Sequence, residues 1–154
     1  MKIIYDDIFN IHKQGGVIGI TTNSCLDRNG YLVMGKGIAL QAKKLFPELP
    51  RDWGKIMTLL SPTTNYTFYD ETHRMFAIQT KNHWRRPSNT CLISASLDIV
   101  ISTAEQLQLS EVYIPPLGCG NGGLNWDTQI KPLIENKHSS NIIVVLSKTF
   151  TEMK

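Results

Sequence analysis

Five consecutive aliphatic residues near the C-terminus, Ile142-Ile143-Val144-Val145-Leu146, constrain the fold more than any other stretch. Side chains of a strand alternate between its two faces, so a run without a polar member is apolar on both and has to be buried on both. That requires layers packed on either side of the sheet. Val112-Tyr113-Ile114 reads the same way, and Ile3-Ile4-Tyr5, Val17-Ile18-Gly19-Ile20 and Phe76-Ala77-Ile78 supply further short strands. Tyr66 to Tyr69 and Met75 to Ile78, joined by Asp70-Glu71-Thr72-His73-Arg74, predict a hairpin, so the sheet is expected to be mixed.

The covering layers are visible as helical periods. Ile93, Leu97, Val100, Ile101, Ala104 and Leu107 form one stripe, with Pro87-Ser88-Asn89 upstream as start signals. A second helix is expected from Gly37 through Leu45 to the stop at Pro47. A third follows Asn125 through Ile130, Leu133 and Ile134, with Pro132 threatening a kink, and a fourth spans about Asp52 to Leu60. Neither an internal repeat nor a Pro-, Gly- or Ser-rich linker divides the 154 residues, so one α/β domain over 1–154 is expected.

No apolar run reaches the roughly 18 residues of a membrane span, and Asp6-Asp7 interrupt the start before a signal-peptide core can form. Cys25, Cys91 and Cys119 are odd in number and far apart, which supports neither a disulfide framework nor a zinc cluster. A reducing, cytoplasmic setting without metal or cofactor is the expectation. Sixteen Lys and Arg against thirteen Asp and Glu leave a formal charge of +3, which permits anionic partners without demanding them. The local clusters say more: Lys43-Lys44 on a helix, and Lys81, His83, Arg85 and Arg86 within six positions.

Three segments could carry chemistry. In Met34-Gly35-Lys36-Gly37-Ile38-Ala39, two glycines precede a helix whose first N–H groups could meet an anion or sugar hydroxyls. It is neither a P-loop, since Ile38 stands where Lys would follow the second glycine, nor a dinucleotide fingerprint, since the third glycine is missing. Alone it reads first as a tight turn. In Pro115-Pro116-Leu117-Gly118-Cys119-Gly120-Asn121-Gly122-Gly123-Leu124-Asn125-Trp126, four glycines in six positions exceed what one turn needs, and successive N–H groups there would form a nest for a diphosphate. Cys119 reads as a small filler rather than a nucleophile.

The third segment, Gln79-Thr80-Lys81-Asn82-His83-Trp84-Arg85-Arg86-Pro87-Ser88, leaves a strand end, a common place for functional groups. Lys81 could attack a sugar anomeric carbon, if its pKa is lowered, or stabilise an anion. Trp84 could stack on a base while Arg85 and Arg86 meet phosphates, and a solvated basic loop is the plain alternative.

Taken together, these stretches resemble a macrodomain, the ADP-ribose-binding fold. More narrowly they resemble the class containing terminal ADP-ribose protein glycohydrolase and the DarG-type antitoxins that remove ADP-ribose from thymidine in DNA. The resemblance rests on Met34 to Gln41 with Lys43 to Pro47, on Thr80 to Ser88, and on Pro115 to Trp126 followed by Lys131 to Glu135. It implies a three-layer α/β/α sandwich around a mixed sheet, with ADP-ribose across the strand ends. Asp7 and Ile8 would hold the adenine, and Asn23 would fall near the distal ribose. Gly35, Lys36, Gly37, Ile38 and Ala39 would flank that ribose. Pro116, Leu117, Gly118, Cys119, Gly120, Asn121, Gly122, Gly123 and Leu124 would wrap the diphosphate. Lys81 would be the catalytic residue.

Two departures stand out. Ser24 to Val33 is longer than the family's usual link, placing Asp27, Arg28 or Tyr31 by the substrate entrance, and Gly122 stands where the protein-directed glycohydrolase carries a catalytic aspartate. The Gly122-Gly123 pair matches the antitoxin-like members. The expected activity is therefore release of ADP-ribose from thymidine in single-stranded DNA by a monomer. A non-catalytic ADP-ribose reader, or an enzyme for ADP-ribose 1″-phosphate or acylated ADP-ribose, is the alternative.

Overall fold

The computed structural model describes residues 1–150. A six-stranded sheet forms its middle layer: β1 (Lys2–Tyr5), β2 (Val17–Thr22), β3 (Phe68–Asp70), β4 (Met75–Gln79), β5 (Val112–Ile114) and β6 (Ile142–Leu146), in the order β1-β6-β5-β2-β4-β3. Every pairing is parallel except β3 with β4, the expected hairpin, so the sheet is mixed.

All five residues of β6 and all five of β4 are buried, as strands covered on both faces must be. Their side chains alternate between two separate apolar clusters. Met75, Ala77 and Val145 join Ile18, Ile20, Leu49 and Trp53 on one face. Phe76, Ile78, Val144 and Leu146 join Leu97, Val100 and Ile130 on the other. Gly19 in β2 carries no side chain because Ile78 and Ile114 already fill the space where its Cβ would stand.

The first face is covered by α1 (Ile8–Lys13), α2 (Gly37–Leu45) and α3 (Leu49–Leu60), the second by α4 (Thr90–Gln106) and α5 (Lys131–Glu135). This is the three-layer sandwich. Asn89 starts α4 by accepting from Leu92 N–H. α3 begins three residues before the expected Asp52, with Pro50 in its first turn, where no N–H is required.

The kink expected at Pro132 is resolved differently. One wide π-helical turn, Trp126–Ile130, precedes α5, so Pro132 enters at the start of a new helix and costs no internal hydrogen bond. α1 was not anticipated: its six residues are too few to show a period.

A partly buried polar knot ties the hairpin to the start of α3. His73 Nδ1 lies 2.6 Å from Asp70 and its Nε2 2.7 Å from Glu48, while Trp53 Nε1 donates to Asp70 at 2.8 Å. Burial pushes the His73 pKa down, but hydrogen bonds to Glu48 and Asp70 outweigh it and leave it above the ordinary 6.5. A raised folded-state pKa stabilises fully below the unfolded value, and that contribution is lost as pH rises through the folded value. His73→Gln should therefore lower the melting temperature most near pH 6, with the gap to wild type narrowing toward pH 9. A gap independent of pH would show that the imidazolium contributes nothing. His12, whose pKa burial lowers, faces the same knot and hydrogen-bonds the His73 carbonyl at 2.6 Å, so the comparison must be between variant and wild type at each pH.

Candidate functional site

The five parallel strands place all their C-terminal ends at one edge. From β2 the chain goes to α2 on one face of the sheet, and from β5 to α5 on the other, so a crevice opens between these two neighbours. Ligands of open α/β sheets settle at such a switch point. A cavity of about 460 Å³ lies there, lined from the ends of β2, β4 and β5 and the loops that follow them.

The loop after β2 contributes Asn23, Gly35, Lys36, Gly37, Ile38 and Ala39 to the wall. No side chain caps α2, and Gly37 at its first position has φ +60°, a conformation only glycine adopts without strain. The leading N–H groups of α2 thus remain open toward the cleft. Asn23 holds the long loop in shape: its Oδ1 accepts from Cys25 N–H at 2.8 Å and its Nδ2 donates to the Val33 carbonyl at 3.2 Å. The Ser24–Val33 segment is itself folded, with Leu26 bridged to Leu32, Leu32 buried, and its N–H donating to Pro50 on α3 at 2.8 Å. Of its residues only Val33 lines the cavity, and Asp27 caps Asn29 and Tyr31 instead.

The loop after β5 contributes Pro116, Gly118, Gly120, Asn121 and Gly122. Its turns close on themselves, Gly123 N–H to Gly120 O at 3.2 Å and Leu124 N–H to Gly118 O at 2.9 Å. Among the described residues, the N–H groups of Gly120, Asn121 and Gly122 meet no protein acceptor, which leaves a run of donors beside the cavity. Leu117 and Cys119 point inward to the core and Gly123 and Leu124 close the turn, so these four shape the loop without lining the cavity. Burial pushes the Cys119 thiol up to about 12, which keeps it protonated and inert.

From β4 come Thr80, Lys81, Trp84 and Ser88. The base of this loop is pinned by Thr80 N–H to Thr22 O and Asn89 N–H to Thr80 O, both 3.0 Å. Lys81 is half-buried, and its Nζ donates only a long bond, 3.4 Å, to the Trp84 carbonyl. Burial, with the nearby Lys36 charge, lowers its pKa below the ordinary 10.5. Trp84, 39% exposed, stacks on His83 at 5.4 Å and carries the Arg85 guanidinium 4.6 Å above its ring. Arg85 and Arg86 are exposed outside the cavity.

Asp7 and Ile8 are not brought to this cavity. Asp7 caps α1 by accepting from Phe9 N–H at 2.9 Å and borders a separate groove with Lys13, Lys44 and Arg74, while Ile8 is buried in the α1 side of the core. Thr21, Thr22, Val33, Thr80, Ser88 and Pro115 line the cavity without having been picked out as site residues. Thr80 and Ser88 lie in the strand-exit segment and Pro115 in the glycine-loop segment that the sequence singles out, whereas the signal for Thr21 and Thr22 is only a polar pair ending an otherwise apolar central strand.

No family profile matches the chain. A DNA ADP-ribosyl glycohydrolase of Mycobacterium tuberculosis is 39% identical over 101 residues, which are 62% of this chain and 29% of that protein. The chain thus spans under a third of the length of that relative. The macrodomain of Thermus aquaticus DarG superposes with a TM-score of 0.71 at 28% identity, covering 94% of this chain and 97% of that one. Thermosipho africanus DarTG, solved in complex with ADP-ribose, shares the fold at TM-score 0.78 and 19% identity over 99% of this chain and 42% of its own.

Proposed function

Since the chain belongs to the DarG-type macrodomains, we propose that its cleft takes ADP-ribose and that it hydrolyses the bond between the distal ribose and a thymidine base in single-stranded DNA. The observation that carries this reading is Lys81, an amine of lowered pKa that shares one cavity with the open N-terminus of α2 and the glycine loop. The diphosphate sits against the Gly120–Gly122 donors, and the distal ribose sits between Gly35–Ala39, Asn23 and Lys81. The adenine extends beyond the cavity toward Asp7, and Ile8, buried in the core, takes no direct part.

Lys81, as free amine, attacks the anomeric carbon. The Nζ–carbon bond forms as the carbon–base bond breaks, and the departing base nitrogen takes up the proton that the alkylated lysine nitrogen sheds. Water then hydrolyses the lysine adduct, returning the amine and releasing ADP-ribose. The loops hold the anomeric carbon in reach, which is the largest entropic share of such a reaction. Trp84, Arg85 and Arg86 meet the flanking strand, the ring by stacking and the guanidiniums by phosphate contact.

Incubation with an ADP-ribosylated oligonucleotide and with a glutamate-ADP-ribosylated protein tests this. ADP-ribose is expected from the oligonucleotide only. A specific observation favours a second reading, a binder without turnover: no carboxylate stands at Gly122. Tight ADP-ribose binding with no release from either substrate would select that reading.

A further inference from the structure

Among the described residues, two buried side-chain polar atoms find no partner in the protein, Thr22 Oγ1 and Ser88 Oγ. Both residues line the same cavity, and they are 4% and 7% exposed. Buried hydroxyls are nearly always paired, because an unmade hydrogen bond costs more than a made one contributes. That both exceptions fall in one cleft calls for a common cause. Resting on the reading that this cleft takes ADP-ribose, we infer that the two hydroxyls are ligand contacts: Thr22 Oγ1 bonds a hydroxyl of the distal ribose, and Ser88 Oγ donates to a diphosphate oxygen.

Their places in the fold separate the two roles. Thr22 has the parity of Ile18 and Ile20, so its side chain lies on the face covered by α2, beneath the Gly35–Ala39 wall. Its carbonyl accepts from Thr80 N–H, which puts it beside the strand that carries Lys81. Ser88 approaches from the opposite wall. Its N–H donates to Gly122 O at 3.0 Å, and its side chain occupies the space a Cβ on Gly118 or Gly122 would need. The hydroxyl therefore sits under the loop whose free N–H groups face the diphosphate. An anion there gains a fourth donor that bends inward from below the nest.

A hydroxyl kept for a ligand and a hydroxyl that supports the fold respond oppositely to removal. Thr22→Val and Ser88→Ala delete an unpaired buried polar atom from the free protein, so the ligand-free melting temperature is expected to stay or rise. Calorimetric titration with ADP-ribose and with ADP, which lacks the distal ribose, then separates the sites. Thr22→Val should weaken ADP-ribose about fivefold and leave ADP unchanged, whereas Ser88→Ala should weaken both about tenfold, the larger effect of a bond to a charged oxygen. Thr22→Ser, which keeps the hydroxyl, should restore wild-type affinity. Unchanged affinities with a lowered melting temperature would overturn the assignment. Wild type binding neither nucleotide would instead remove the ADP-ribose reading on which it rests.

Discussion

Lys81→Ala is expected to slow ADP-ribose release from the oligonucleotide by on the order of a thousandfold, with ADP-ribose affinity held within about threefold. The asymmetry follows from the division of labour in the cleft. In the proposed mechanism the glycine loop and α2, which line the same cavity as Lys81, would hold the diphosphate and ribose through backbone groups that the substitution does not touch, while Lys81 would act only on the anomeric carbon. Lys81→Arg separates the two ways a lysine could act there. Arginine keeps the positive charge but does not deprotonate, so it supports electrostatic stabilisation and not attack. It should be as inactive as alanine. The pH profile should make the same point: kcat is expected to rise with pH as the amine is freed, at a midpoint below the ordinary lysine value, since burial and the Lys36 charge lower the Lys81 pKa. Lys36→Ala removes that like charge, so it should move the midpoint toward alkaline pH. Wild-type turnover by Lys81→Ala would refute the mechanism outright.

The layers were legible because apolar pattern is a direct record of burial. Ile142 to Leu146 had to be covered on both faces, and the stripe from Ile93 to Ala104 had to face one of them. The same pattern misled at Leu107. It continues the period, yet α4 ends at Gln106, Gln108 takes φ +57°, and Leu107 is half-exposed. The backbone stops a helix through local conformation, which hydrophobic spacing does not encode. The wide turn before α5 was hidden for a related reason. Pro132 signals that an ordinary helix cannot pass through, but not whether the chain kinks or restarts.

In the site, glycines and Lys81 were legible because their residue types are hard to explain otherwise, and the structure brings Gly35, Gly37, Gly118, Gly120 and Gly122 to one cavity with Lys81. Thr22 was not, and Ser88 only as the last member of the Thr80 to Ser88 stretch. A hydroxyl is unremarkable in sequence, and only a count of its partners in three dimensions sets it apart. Asp7 illustrates the converse: as an N-cap of α1 its residue type is already accounted for locally, so position after a strand did not by itself place it in the cavity.

Gly122→Ala should be the most damaging single-atom-scale change in the glycine loop. An added Cβ would stand against Ser88 Oγ, 2.5 Å from the Gly118 carbonyl oxygen and 2.8 Å from Gly118 Cα. Two of these neighbours are backbone of the same turn, which is closed by the Leu124 to Gly118 hydrogen bond and cannot yield like a flexible side chain. Relief has to come from moving the loop, at a cost of about 1–3 kcal/mol and so a fall of roughly 3–10 °C in melting temperature. The displaced N–H groups should also weaken ADP-ribose binding by at least about tenfold, since several donors to one anion are lost in register. Gly120→Ala is the control for stability, because a Cβ there meets nothing within 4 Å. The same crowding explains the missing carboxylate: an aspartate at 122 has no room for its first carbon, so Gly122→Asp should lose binding without gaining turnover. A Gly122→Asp variant that binds ADP-ribose normally and hydrolyses faster would show that the loop opens freely and that lysine alone is not the design of this site.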